Sequence, residues 1–509
     1  MLARRDQGAP NKWAITVSIM LATIMVSLDT TIANVALPHI QGSVSASQDQ
    51  ITWVLTSYIV ASTIMTPMTG WLSGRIGRKQ VFLISIIGFT IASMLCGMAG
   101  SLFQIVLFRL LQGLFGAALI PLSQAVLLDI YPKEQHGQAM AIWGMGALLG
   151  PIMGPALGGW LTDNLTWRWV FYINLPVGVL AWLGVWTFIS NNKHDIPKPF
   201  DFFGFGMLTV AIGAFQLLLD RGPTQDWFGS KEIWTEAIVA GTALYLFTVH
   251  SLTAKNPFFD RALIRDRSFV IATVVGFFLG ILLYSAMALL PSMLEGLMGY
   301  PVVTTGLVMM PRGVGAFIGM FTVGRLVGKV DARLLVASGM ALMGVAAFMM
   351  SRFSLEMNAT PLIVSAVIQG LGTSTVFVPL TTLAFASLNP IFRAEGSGVF
   401  TLVRNLGSSA GISIVEALQT SNVEKVHSGL VTHFAPGDQT LSLLPQALNP
   451  TTAAGAAALN AEITRQAAMV AYVDDFWLMV IITVCAAPLL LLLKAPKAQK
   501  VDPQHAAME

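Results

Sequence analysis

Val26-Ser-Leu-Asp-Thr-Thr-Ile-Ala-Asn-Val-Ala-Leu-Pro38 closes an apolar run that begins at Trp13, and it sets one carboxylate, Asp29, inside that run. About 20 apolar residues suffice to cross a bilayer as a helix. An ionisable group in hydrocarbon costs at least about 2.5–3.5 kcal/mol on insertion scales, so an acid at that depth points to a use for it. The stretch therefore reads as a membrane span built around a functional carboxyl.

The remainder of the chain agrees. Its 509 residues are 55% hydrophobic and 11% charged, with a mean hydropathy of +0.70, whereas soluble domains carry about 25% charged residues. Cys96 and Cys485 lie in apolar runs, which leaves no disulfide framework and no thiolate metal site. His427 and His433, six residues apart without Cys or acids in register, do not make a metal site either. No metal and no nucleic-acid partner is expected. Met1 to Lys12 is short, polar and basic, and the run after it is too long for a signal-peptide core, so it reads as an uncleaved first span.

Fourteen spans can be marked: 13–36, 51–72, 80–100, 102–128, 138–162, 168–190, 203–219, 235–254, 268–294, 302–326, 333–350, 361–386, 396–418 and 473–494. An even number puts both termini on one side. With the N-terminus inside, twenty of the 29 Lys and Arg residues fall in cytoplasmic segments and six on the opposite side, while Arg109, Arg312 and Arg404 stay within spans. The positive-inside rule then places both termini in the cytoplasm.

The two ends of the chain echo each other. Leu111-Gln-Gly-Leu114, followed by Pro121, recurs as Ile368-Gln-Gly-Leu371 and Pro379, and Gly74-Arg-Ile-Gly-Arg-Lys79 is echoed by Gly324-Arg-Leu-Val-Gly-Lys329. The offsets are 257 and 250 residues. The expected division is a tail (1–12), a six-helix bundle (13–190), a linker with two inserted spans (191–267), a second six-helix bundle (268–494, including an extracytoplasmic loop at 420–471) and a tail (495–509). Paired halves of this kind enclose a midplane site and rock against each other. The loop turns Ala-rich after Thr451, which suits a helix lying on the membrane or capping the cavity.

Depth arithmetic pairs two of the buried charges. Asp29 lies about 24 Å from the cytoplasmic edge of its span, and Arg109, in span 4, about 10 Å from the outer edge, in a core about 30 Å thick. Both fall in the outer half of one six-helix unit. Burial disfavours a charged carboxyl and a neighbouring guanidinium favours it, so protonation of such a pair can follow which side is open. In the second half, Arg312 and Arg404 are candidates to meet an anionic substrate or a helix end, and Glu416 is a candidate for the proton or substrate pathway. Asn34, Tyr58, Gln112, Gln124, Gln369 and Asn405 are polar enough to line a cavity, although most polar residues in bundles simply link helices.

Gly70-Trp-Leu-Ser-Gly-Arg-Ile-Gly-Arg-Lys79 lies in the turn after span 2, and here the chain resembles the major facilitator superfamily, whose signature runs G-x-L-x-D-R-x-G-R-K. Gly74 stands where that family carries an acid, which leaves Asp129 as a partner for Arg75 or Arg78. Gly146-x-x-x-Gly150-Pro151-x-x-Gly154-Pro155-x-x-Gly158-Gly159 resembles the antiporter signature of the drug-exporting branches. Small residues at this spacing let helices approach closely, and the prolines permit a kink. Leu28 to Pro38, Trp167 to Gly178, Asp201-Phe-Phe-Gly204 and Arg404-Asn-Leu-Gly407 are similar to the fourteen-span drug:proton antiporter branch of EmrB type.

That resemblance implies an all-α polytopic major facilitator fold, two six-helix bundles plus two inserted helices. It implies a non-enzymatic antiporter in the inner membrane, exporting hydrophobic or amphipathic small molecules by alternating access. The proton gradient would be the energy source, with no cofactor; the chain also has no G-x-x-x-x-G-K-[ST] nucleotide loop. Gram-negative members of the branch work with a periplasmic membrane-fusion adaptor and an outer-membrane channel. A dedicated exporter of one endogenous metabolite, a proton symporter and a non-transporting sensor are the alternatives.

Overall fold

Helix stands at each of the fourteen spans in the computed structural model, which describes residues 11–190, 199–432, 448–449 and 452–493. Spans 1 to 6 are Lys12–Val44, the pair Trp53–Met65 and Met68–Ile76, Arg78–Met98, Leu102–Ile130, His136–Asn164 and Trp169–Phe188. The inserted spans 7 and 8 are Phe202–Arg221 and Lys231–Thr253. Spans 9 to 14 are Arg267–Ser292, Val302–Leu326, Ala332–Met350, Ala359–Ala386, Arg393–Val431 and Ala453–Ala486. Among the described residues there is no strand, only one isolated bridge between Val327 and Val330.

Eleven of these helices are long and apolar enough to cross a membrane, or twelve when the bent pair of span 5 counts as one. The two others have local causes. Span 2 is broken at Pro67, which cannot donate its backbone bond. Span 13 carries Arg404, Glu416 and a polar C-terminal half that lowers its mean hydropathy. Large apolar side chains such as Phe103, Leu180, Trp186 and Leu244 stay more than half exposed on the outer surfaces, as a lipid-facing belt requires.

Span 5 packs on span 1 through its glycines. A Cβ on Gly150 would overlap the Ser27 backbone, one on Gly154 would overlap the Thr31 hydroxyl, and one on Gly158 would stand 2.9 Å from Ile32 Cγ1. The close approach lets the Thr31 hydroxyl donate to the Gly150 carbonyl at 3.1 Å, and the Ser27 hydroxyl to the Ala147 carbonyl. The axis of this span bends by 40° between Lys133–Gly154 and Ala156–Asn164; the side chain of Pro155 lies outside the described residues. The repeat reproduces the same seam. Gly407 and Gly411 of span 13 meet Phe277 and Ile281 of span 9, at the offsets of 257 and 250 residues that relate the two halves.

Two segments gain a structural reading. Asp201 caps span 7 by accepting from Gly204 N at 2.8 Å, and it also holds His250 at 2.9 Å and Phe258 N at 3.0 Å, so it clamps the inserted pair together. The stretch read as a loop at 420–471 is largely a helical hairpin. Span 13 continues to Val431 and span 14 begins at Ala453, and His427 Nε2 lies 3.0 Å from Asn460 Oδ1 across the pair. Hydropathy ends span 13 near residue 418, but no Pro or Gly interrupts 412–428, so the helix runs on. His433 lies outside the described residues, as do the two tails.

The seam is testable. Gly154→Val should destabilise the purified protein by about 1–3 kcal/mol through overpacking, read as a fall in Tm in detergent. Gly42→Ala, where a Cβ meets nothing within 4 Å, should leave Tm unchanged or slightly higher.

Candidate functional site

Asp29 is fully buried, and its two oxygens accept three hydrogen bonds. Arg109 Nη1 donates to Oδ2 at 2.6 Å, while Gln112 Nε2 and Asn174 Nδ2 both donate to Oδ1 at 2.8 Å. Arg109 is itself only 1% exposed. Its Nε donates to the Val54 carbonyl at 3.2 Å, and Nη1 also donates to Gln112 Oε1 at 2.9 Å. The guanidinium carbon lies 4.3 Å from the centre of the Tyr58 ring and 5.8 Å from that of Phe171. Asn174 Nδ2 also donates to Ser93 Oγ at 2.9 Å, and that hydroxyl donates to the Phe171 carbonyl at 2.9 Å.

Each part has a local origin. The glycine seam fixes Ser27 and Thr31, the residues two before and two after Asp29, against span 5, which turns Asp29 toward the opposite side of span 1. There it meets Arg109 and Gln112, three residues apart on one face of span 4. Gly113 lets span 4 approach span 2, because a Cβ there would overlap the Tyr58 carbonyl. The carboxylate thus holds three donors, and the guanidinium is held by a carboxylate, a carbonyl and an aromatic face. The pair is net neutral and sealed among spans 1, 2, 3, 4 and 6.

A second cluster closes the face that carries the Gly70–Lys79 turn, called here the basic face. Asp129 at the end of span 4 is clasped by Arg78 from the turn and by Arg393 from the start of span 13, the latter at 2.9 Å. Arg393 also donates to the Leu128 carbonyl at 2.9 Å, and Ser397 Oγ donates to Gln124 Oε1 at 2.5 Å. These bonds join the two halves. Close contacts continue inward: a Cβ on Gly70 would stand 2.7 Å from Glu395 Cα, and Trp143 of span 5 stacks on Phe377 of span 12 at 5.7 Å. The molecule is shut on its basic face.

The sequence candidates separate accordingly. Asp29, Arg109, Gln112 and Tyr58 share the sealed network. Asp129 pairs with Arg78, whereas Arg75 is exposed and lies over the Trp71 ring at 5.2 Å. Gln124 stands at the junction of the halves rather than beside a midplane cavity. Asn34 and Glu416 are exposed, Asn405 is half-buried, and Gln369 is buried with its carbonyl oxygen unpaired. Arg312 and Arg404 are half-buried. Gly150, Gly154 and Gly158 form the seam with span 1, and Pro151 lies within it. Sequence reasoning missed Asn174, Ser93 and Arg393. Asn174 was within reach, since it stands in the quoted run Trp167 to Gly178 and is a polar residue inside a span. Among the described residues no three His, Cys, Asp or Glu side chains gather as a metal site.

Two charge-bearing helical halves that meet at one face are the architecture of a polytopic membrane protein. The family model of the Major Facilitator Superfamily matches residues 19–412, and the chain belongs to that family. It is 34% identical over 469 residues to the multidrug export protein EmrB of Haemophilus influenzae, covering 91% of this chain and 92% of that one. It is 36% identical over 438 residues to the fatty acid resistance protein FarB of Neisseria gonorrhoeae, covering 86% of each. Among solved structures, the proton:xylose symporter XylE aligns with a TM-score of 0.64 at 13% identity, over 98% of this chain and 99% of that one, a likeness of fold.

Removing one member of a buried pair strands the other. Arg109→Leu should cost about 3–5 kcal/mol of stability, seen as a lower Tm, and the double variant Asp29→Leu/Arg109→Leu should recover much of it. At the basic face, Asp129→Asn should speed maleimide labelling of a cysteine placed at Ser397, which is fully buried.

Proposed function

We propose that the chain is a proton-driven exporter of hydrophobic or amphipathic small molecules, working by alternating access in the inner membrane. The observation that carries this reading is the Asp29–Arg109 ion pair, sealed inside the first half while the basic face is closed. The excess of basic residues on that face supports a cytoplasmic placement for it and for both termini. The multidrug export and the fatty acid resistance named for two relatives support small amphiphiles as cargo.

In this reading the conformation is the one closed to the cytoplasm. A proton arriving at Asp29 removes the charge that Arg109 is packed against, and the ion pair loses its Coulombic hold. Arg109 keeps the Val54 carbonyl, the Gln112 side chain and the Tyr58 ring, and spans 2 and 4 shift relative to span 1 to re-solvate it. Span 4 also carries Gln124 and Asp129, so the same shift loosens their bonds to Ser397 and Arg393 and opens the cytoplasmic face. Return of the proton to the cytoplasm restores the pair. No cofactor is needed, because the gradient supplies the energy. A periplasmic adaptor and an outer-membrane channel would meet the chain on the outer face, where the hairpin of spans 13 and 14 projects.

Everted vesicles provide the check. Adding a substrate from a panel of amphiphilic drugs should release protons from an acidified lumen with wild-type protein and not with Asp29→Asn. Wild-type proton release by Asp29→Asn would rule out the role of this carboxyl.

A further inference from the structure

The two halves differ in how they balance charge. In the first, Arg109 is matched by Asp29. At the repeat offsets the second half carries Leu279 and Ala366 in their places, so the internal counter-ion is gone. The second half nevertheless holds two intramembrane guanidiniums. Arg404 lies about 16 Å from the basic end of span 13, and Arg312 about 21 Å from the basic end of span 10, by helical rise. In a core about 30 Å thick Arg404 is at mid-depth and Arg312 in the outer half, near the depth of Arg109.

Their surroundings lack an acid. Among the described residues neither forms an ion pair, and Tyr284 of span 9 adjoins Leu283, the residue that Arg312 reaches. Arg312 Nη2 donates to the Leu283 carbonyl at 3.3 Å, but its Nη1 is buried without a partner, and so is Arg404 Nε. Arg404 also lies 5.8 Å from the Phe377 ring, on which Trp143 stacks. Glu416, three turns further along span 13, has Asp220 as its charged neighbour. Both arginines are half-buried.

An uncompensated guanidinium at this depth costs several kcal/mol, and an unpaired buried N–H adds to that. A planar donor fork is suited to carboxylate or sulfonate oxygens, and apolar and aromatic neighbours to a hydrocarbon tail. We propose that Arg312, Arg404 and Tyr284 form a receptor for the anionic head group of an amphiphilic substrate. The cargo then supplies the counter-charge that Asp29 supplies in the first half. This rests on the export reading for its physiological meaning, and it is tested apart from it.

The experiment is binding of radiolabelled decanoate to the full chain in phosphatidylcholine nanodiscs, with unlabelled competitors. Decanesulfonate should compete well, and decan-1-ol and decyltrimethylammonium at least about tenfold less well. Arg312→Gln and Arg404→Gln should each weaken decanoate binding by about tenfold, the scale of one charge-assisted hydrogen bond, while Arg→Lys at either position, which keeps the charge but not the fork, should weaken it less. Unchanged decanoate affinity in Gln variants that elute as wild type does would overturn the proposal, and so would equal competition by decan-1-ol. Loss of decanoate binding in phosphatidylglycerol nanodiscs would assign the site to a lipid head group and overturn the substrate assignment. Charge-selective binding without proton-driven export would leave this site standing and remove the export reading; export without charge selectivity would do the reverse.

Discussion

A carboxylate and a guanidinium buried together in the membrane bind the first half of this molecule into one unit. Neither charge is tolerable alone at that depth, so the helices that carry them must stay in register. The span 1–span 5 glycine seam sets the rotation of Asp29, and Gly113 brings span 4 close enough to span 2 for Arg109 to use the Val54 carbonyl and the Tyr58 ring. Asn174 and Gln112 then saturate the carboxylate. The geometry is rigid because nearly every polar atom in it is already used.

The same backbone seam recurs in the second half without that chemistry. Gly407 and Gly411 reproduce the contacts of Gly150 and Gly154, but no acid follows from span 9. Duplication preserved the packing, which depends on small residues at helical spacing, and left the charges free to diverge. One half holds a self-neutralising pair and the other holds two arginines that pair with no acid among the described residues.

The architecture was legible in the sequence because hydropathy, helical period and basic-residue distribution are local signals. Helix stands at each of the fourteen stretches read that way, eleven or twelve of them long and apolar enough to cross a membrane, and the echo between the halves returns as the shared glycine seam. The Asp29–Arg109 contact was legible as well, since helical rise converts residue numbers into depth. Depth carries no azimuth, however. Nothing local told that Gln112 turns toward Asp29 whereas Gln124, twelve residues on in the same span, turns toward Ser397 of the other half. Arg393 read as one more positive-inside residue, because its partner Asp129 lies 264 positions away. The projecting hairpin was hidden for a different reason: hydropathy marks where the membrane ends, and helix propensity let spans 13 and 14 continue past it.

The central claim is that Asp29 is ionised while the basic face is shut and takes up a proton as that face opens. Infrared difference spectroscopy on protein with carbon-13-labelled aspartate, with the Asp29→Asn spectrum subtracted, reports its protonation state directly. The account predicts an ionised Asp29 band in the wild-type resting state, and a protonated carboxyl band when Asp129→Asn loosens the basic face. An Asp29 band unchanged between those two states would contradict it.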